Sequence, residues 1–113
     1  MGYPRWQKRR KNKNTEGALQ LQILKYLRAI GAVAGKTKTT GISRNGVFCA
    51  DRYLFIGFPD ITIFYKNKIY FCEVKSAKGY QSRYQQLFQE LCKDSNIPYI
   101  LARKLEDVME IIK

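Results

Sequence analysis

Two short runs of residues rich in β-branched and aromatic side chains, residues 61–65 and residues 69–74, are separated by the polar residues 66–68. Runs of this length and composition on either side of a polar break are typical of a β-hairpin. The pattern therefore predicts a hairpin near the middle of the chain. Its turn decides which polar side chains meet.

A turn at residues 66 and 67 places Asp60 opposite Glu73, whereas a turn at residues 67 and 68 places Asp60 opposite Lys75. In both registers Asp60, Glu73 and Lys75 share one face, although a loop of odd length would break this parity unless a bulge restored it. Opposed carboxylates are destabilising unless a cation neutralises them, and hard oxygen ligands suit Mg²⁺ or Mn²⁺. An ordinary surface ion pair of one acid with the lysine is the alternative.

Helical spacing of apolar residues predicts three helices. The first begins at Asn14 or Thr15 and ends at Gly31, with an inward face of Leu19, Ile23, Leu27 and Ile30. Ser82 caps the second, in which Leu87, Phe88 and Leu91 are expected to face inward. The third runs over residues 105–112, with Leu105, Val108 and Ile112 on one side.

Two more segments are predicted as strands, residues 32–39 and residues 97–102. Residues 39–46 are interpreted as a basic loop that contains glycine, and residues 47–56 as a further strand or an irregular approach to the hairpin. The order helix, strand, hairpin, helix, strand, helix predicts an α/β fold in which a small mixed sheet is flanked by helices.

The chain has 113 residues and a net charge of +12, from 21 Lys and Arg against 9 Asp and Glu. Half of this excess lies in residues 1–13, which carry six basic residues and no acid. We expect residues 1–13 to be a flexible basic arm and residues 14–113 to be a single domain. Nucleic acid is the expected partner. Because there is no long apolar run and no signal-peptide pattern, we expect a soluble intracellular protein that is not secreted.

The composition excludes several chemistries. The chain has no His and only three widely spaced Cys, so structural zinc, a disulfide framework and His-based catalysis are not expected. Residues 31–37 resemble a phosphate-binding loop, but Ile30 stands where that motif requires Gly, and no nucleotide cofactor is expected. Catalysis must depend on Asp, Glu, Lys or Tyr.

The sequence resembles the PD-(D/E)xK nuclease superfamily, and in particular its VRR-NUC branch. The matching motifs are Gly57-Phe58-Pro59-Asp60, then Glu73-Val74-Lys75-Ser76, then a helix with Ser82, Gln85, Phe88 and Leu91. The resemblance extends to Glu16 near the start of the first helix and covers about residues 15–110. Residues 40–56 match the family only loosely.

This resemblance implies a restriction-endonuclease-like core and a metal-dependent DNA endonuclease. The ion, Mg²⁺ or Mn²⁺, would be held by Asp60, Glu73 and the main-chain carbonyl of Val74, with Glu16 reaching it through water. Lys75 would orient the attacking water or stabilise charge on the phosphate, and Gln85 would hold a water or a phosphate. For Glu16, the alternative is a favourable interaction with the helix dipole.

A stand-alone protein of this kind is expected to form a homodimer that cuts branched DNA, such as a four-way junction. The candidate contact surface is the aromatic set Tyr53, Phe55 and Phe58, unless these residues fill the protein's own core. The alternative function is a non-catalytic, basic nucleic-acid-binding module on the same fold. Such a module would have no reason to keep Asp60, Glu73 and Lys75 on one face.

Overall fold

The computed structural model describes residues 15–37, 42–44, 47–49 and 55–113. The expected basic arm, residues 1–13, lies outside the described residues, as does Tyr53. In chain order the elements are α1 (Thr15–Ala29), β1 (Val33–Lys36), β2 (Ile42–Arg44), β3 (Val47–Cys49), β4 (Ile61–Tyr65), β5 (Lys68–Val74), α2 (Arg83–Asp94), β6 (Tyr99–Ala102) and α3 (Leu105–Met109).

Four strands form a mixed sheet in the order β1-β4-β5-β6, and β2 pairs separately with β3. The β1–β4 and β4–β5 pairs are antiparallel, whereas β6 lies parallel to β5. A parallel neighbour requires a crossover connection, and α2 supplies it. The prediction of a small mixed sheet flanked by helices is confirmed.

The hairpin of β4 and β5 has the first of the two predicted registers. Tyr65 pairs with Lys68 and Ile61 with Cys72. The two turn residues, Lys66 and Asn67, have φ angles of 49° and 64°. Positive φ at both central positions matches the twist of the flanking strands. Continuing this register by one residue places Asp60 opposite Glu73.

The core lies on the sheet face that α1 and α3 cover. Ile61 and Ile63 of β4 are fully buried there, next to Cys72 and Val74 of β5. The residues that α1 and α3 contribute include Ile23, Leu24, Leu27, Val108 and Ile112. Because side chains alternate along a strand, the neighbouring residues Phe71 and Glu73 point to the opposite face, which α2 covers.

The C-terminus of α1 explains how the chain reaches β1. Gly31 has a φ of 91°, in the left-handed region that glycine adopts without steric cost. The N–H of Ala32 donates to the Leu27 carbonyl at 2.9 Å, and the N–H of Gly31 donates to the Arg28 carbonyl at 3.1 Å. This pattern is a Schellman motif. It confirms the predicted end of the first helix.

The prediction that Leu87 and Leu91 face inward is wrong. They are 41% and 48% exposed, whereas Gln85, Phe88 and Cys92 are buried. With Gln85 facing the sheet, Leu87 lies about 200° and Leu91 about 240° around the helix axis from it. A helix that buries Gln85 therefore cannot bury either leucine.

Two further differences concern boundaries. Residues 42–44, interpreted as loop, form β2 and pair with β3, with Arg44 opposite Val47. In the sequence, Asn45 and Gly46 stand between these two segments, and Asn-Gly is the dipeptide most typical of two-residue hairpin connections. The third helix ends at Met109, earlier than predicted, although Ile112 is still buried.

Candidate active site

Asp60 lies directly before β4 and is only 5% exposed. Its Oδ2 accepts a hydrogen bond of 2.9 Å from the main-chain N–H of Val74 on the neighbouring strand. Its main-chain carbonyl accepts another, also 2.9 Å, from the N–H of Thr37 directly after β1. Asp60 is therefore fixed from both sides, by the end of β5 and by the end of β1.

Glu73 is fully buried near the end of β5. Its Oε1 accepts a hydrogen bond of 2.8 Å from Nε2 of Gln85. Gln85 in turn accepts a hydrogen bond of 2.8 Å from the N–H of Ser82, which caps α2. The side-chain Oγ of Ser82 accepts from the N–H of Gln85 at 3.2 Å, which completes a capping box. The start of α2 thus orients Glu73.

Lys75 follows β5, and its side chain lies beside Glu73. Its Nζ is 3.7 Å from Oε1 of Glu73, and its side chain is 14% exposed. Its N–H donates to the carbonyl of Ala102 at 3.0 Å, so the parallel pairing with β6 continues through this residue. Asp60, Glu73 and Lys75 therefore lie on one face of the sheet, as the hairpin pattern predicted.

Glu16 lies in the first turn of α1 and reaches the segment after Lys75. Its Oε1 accepts a hydrogen bond of 3.1 Å from the N–H of Ser76. Gly79 lies close by, since a Cβ atom there would be 3.4 Å from the same Oε1. Glu16 therefore holds the backbone next to Lys75, and the structure gives it a contact beyond the helix dipole.

Arg103 is a residue of this region that the sequence reasoning missed. Its Nη1 donates to the carbonyls of Ser76 at 2.7 Å and Gly79 at 2.8 Å, with a longer contact of 3.5 Å to Ala77. Arg103 follows β6 and belongs to none of the motifs, so no sequence signal pointed to it. Arg103 and Glu16 together hold the backbone of the loop after Lys75 through hydrogen bonds.

At Gly57, the first residue of the Gly57-Phe58-Pro59-Asp60 motif, the chain passes very close to the backbone of α2. Its φ is 80°, and a Cβ atom there would overlap the main-chain carbonyl of Tyr84 and lie 2.7 Å from the N–H nitrogen of Gln85. Only glycine fits both the conformation and the space. This close approach sets the segment just before Asp60 against the start of α2, where Gln85 lies.

Next to this glycine, Phe58 packs edge-on against Phe71 and Phe88, with ring centroids 5.4 Å and 5.1 Å apart. Phe58 therefore belongs to the packing between the sheet and α2. Phe55 stacks edge-on with Phe88 at 5.9 Å but is 64% exposed. Of the two described residues of the proposed aromatic contact surface, Phe55 is therefore the one exposed to solvent.

The thiol of Cys72 is buried on the sheet face opposite to the acids and is not a candidate nucleophile or ligand. Burial, together with the nearby charges of Asp60 and Glu73, raises the pKa of Cys72 to about 12. A neutral thiol at physiological pH is neither a nucleophile nor a metal ligand. The oxygen atoms of Asp60 and Glu73 are the relevant donors here.

These donors fit a hard divalent cation of the Mg²⁺ type. Among the described residues, no three His, Cys, Asp or Glu side chains come close enough to hold a metal ion by themselves. Mg²⁺ is usually bound through one or two carboxylates, with water and phosphate oxygens completing the octahedron. A buried pair of carboxylates on opposed strands matches that requirement better than it would match the crowded oxygen cage of a Ca²⁺ site.

Comparison with known proteins supports this fold assignment. A solved structure described as a "VRR_NUC domain" is similar to this chain with a TM-score of 0.62 and 20% sequence identity, over 86% of this chain and 92% of that chain. No protein-family model matches the sequence, and curated proteins gave no significant match. The chain has the restriction-endonuclease-like fold of a VRR_NUC domain.

None of the helices within the described ranges is both long enough and apolar enough to span a membrane.

Proposed function

We propose that this protein is a metal-dependent DNA endonuclease of the VRR-NUC type, which hydrolyses phosphodiester bonds. One observation carries the proposal: two buried acids, Asp60 directly before β4 and Glu73 in β5, lie opposite one another when the β4–β5 register is continued, and Nζ of Lys75 is 3.7 Å from Glu73 Oε1. Burying two carboxylates costs free energy that a folded domain without a task for them could avoid.

Asp60, Glu73 and the main-chain carbonyl of Val74 would hold Mg²⁺ or Mn²⁺, with Glu16 acting through water. When bound, the ion supplies a Lewis acid that polarises the scissile phosphate and acidifies a water molecule. The hydrogen bond from the Val74 N–H to Asp60 supports this role, because it fixes the carboxylate relative to the strand that carries Glu73.

The remaining side chains have roles that follow from their contacts. Lys75 carries an ammonium group at the acids and would donate to a phosphate oxygen or to the attacking water, where it stabilises developing negative charge. Gln85 donates to Glu73 at 2.8 Å and so keeps the carboxylate in one orientation. Gln85 would also hold a water or a phosphate.

DNA is the proposed substrate because a net charge of +12 on 113 residues attracts polyanions. We further propose that the protein acts as a homodimer on branched DNA, such as a four-way junction. A two-fold dimer presents two identical sites, which suits a pseudo-symmetric junction. The exposed ring of Phe55 supports an apolar contact near the site.

The test is a cleavage comparison with the purified protein on a four-way junction, on linear duplex and on single-stranded DNA, each with Mg²⁺, Mn²⁺ or EDTA. We expect nicking of the junction with either metal and none with EDTA. Sedimentation at micromolar protein concentration would show a dimer. DNA binding without cleavage under every metal condition would favour the non-catalytic module instead.

A further inference from the structure

A groove opens beside Lys75, whose Nζ is 3.7 Å from Oε1 of Glu73. Its volume is about 790 Å³, and it is lined by α1, by the loop after β5 and by the turn between β6 and α3. β5 and β6 are parallel, and the groove lies at the carboxyl ends of both strands. In open α/β sheets, the crevice outside the carboxyl ends of parallel strands is a common place for ligands to bind.

The lining of the groove combines an apolar floor with a basic rim. Ala18, Leu19 and Leu105 contribute the apolar part. The basic side chains are Lys75, Lys78, Arg103 and Lys104, against one acid, Glu106. Lys78 and Lys104 are exposed, so their ammonium groups are accessible to a ligand.

Nucleic acid is the ligand whose chemistry matches this combination. Its phosphates would meet the ammonium groups on the rim, and its sugars and bases carry apolar surface for the floor. Lys75 both lines the groove and lies 3.7 Å from Glu73, so a strand whose scissile phosphate lies at the acids is next to the groove.

We propose that this groove binds the DNA strand on one side of the scissile phosphate, with Lys78 and Lys104 contacting its phosphates. The proposal rests on the proposed function, because it takes the acids as the position of the scissile phosphate. Lys78 and Lys104 lie outside the sequence motifs that resemble the VRR-NUC family, so the proposal adds phosphate contacts to those of the motifs. Arg103 serves the site differently, since its Nη1 is engaged by the loop carbonyls.

The experiment measures binding of a fluorescently labelled DNA duplex by anisotropy, without divalent metal, over salt concentrations from about 50 to 300 mM. The variant Lys78→Gln/Lys104→Gln removes both rim charges. The matched control, Lys66→Gln/Lys68→Gln, removes two exposed charges from the hairpin turn. That turn is at the opposite end of β5, about 20 Å away, which is well beyond the Debye length of about 10 Å.

We expect the slope of log K against log salt to fall by about two for the groove variant and to stay at the wild-type value for the control. An unchanged slope for the groove variant, or equal losses for both variants, would overturn the proposal. Because no turnover is measured, the result is independent of cleavage. If the wild type cuts DNA but the groove variant binds normally, the nuclease proposal stands and the groove assignment fails.

Discussion

The side-chain amide of Gln85 donates a hydrogen bond of 2.8 Å to Oε1 of Glu73, and both residues are buried. The carbonyl oxygen of the same amide accepts from the N–H of Ser82 at the start of α2. One glutamine therefore joins the cap of a helix to a carboxylate of the sheet. The rotation of α2 and the orientation of Glu73 are set by the same side chain.

Replacing this glutamine tests the link. Gln85→Leu removes the donor to a buried carboxylate and half of the capping box, so we expect the free energy of unfolding to fall by about 1–3 kcal/mol. The control is Gln86→Leu at the next, exposed position, where the change is expected to stay within about 0.5 kcal/mol. Urea denaturation measures both. Equal effects of the two substitutions would mean that the contact with Glu73 does not stabilise the fold.

Three glycine-to-alanine substitutions separate strain from steric overlap. Gly35→Ala meets nothing within 4 Å and has no unusual φ, so it should be neutral or slightly stabilising. Gly31→Ala has open space but a φ of 91°, and should cost about 1–2 kcal/mol. Gly57→Ala adds overlap with the Tyr84 carbonyl to a φ of 80°, and should cost more than either. Thermal unfolding gives the order, and a mild effect at residue 57 would show that α2 can move away.

Arg103 should act on catalysis through the loop that it holds. Arg103→Ala removes the hydrogen bonds to the carbonyls of Ser76 and Gly79, and we expect kcat at saturating DNA to fall about 10- to 100-fold, because small misplacements of a catalytic group have effects of that size. Arg103→Lys should retain part of the kcat that Arg103→Ala loses. The control Arg83→Ala changes an exposed arginine on α2.

Hydrogen exchange gives a second measurement for Arg103 that does not need activity. The amides of residues 76–79 should exchange faster in Arg103→Ala than in the wild type, because the loop opens more often. If both the exchange rates and kcat were unchanged, Arg103 would have no role in positioning Lys75.

Much of the sheet could be predicted because its signals are local. The alternation in residues 61–65 and 69–74, with a short polar break, predicted a hairpin in which either two-residue turn keeps Asp60 and Glu73 on one face, whereas a loop of odd length would separate them. The observed turn at Lys66 and Asn67 selects between them. The helical spacing of Ile23 and Leu27 similarly predicted which side of α1 is buried.

The errors came from contacts between residues distant in sequence. Hydrophobicity favours burying Leu87 and Leu91, but the hydrogen bond of Gln85 to Glu73 rotates α2 away from them. That bond joins residues twelve positions apart on different elements. Arg103 contacts backbone carbonyls, which no side-chain pattern records. By contrast, β2 was missed although the Asn45-Gly46 dipeptide was a usable signal.

The nuclease account depends most directly on the charge of Asp60 and Glu73. Asp60→Asn and Glu73→Gln keep the shape of each side chain while removing the charge, so the hydrogen bond that Asp60 accepts from Val74 has a counterpart in the variant. Matched controls are Asp94→Asn and Glu90→Gln, two exposed acids of α2.

The decisive measurement is the rate of junction cleavage in Mg²⁺, with EDTA as the metal-free condition and DNA binding measured in parallel. The account predicts that the wild type and both controls cut at similar rates, that EDTA stops them, and that Asp60→Asn and Glu73→Gln each lose at least about 100-fold in rate while still binding DNA. Cleavage by Asp60→Asn or Glu73→Gln at the wild-type rate, with the same metal dependence, would contradict it.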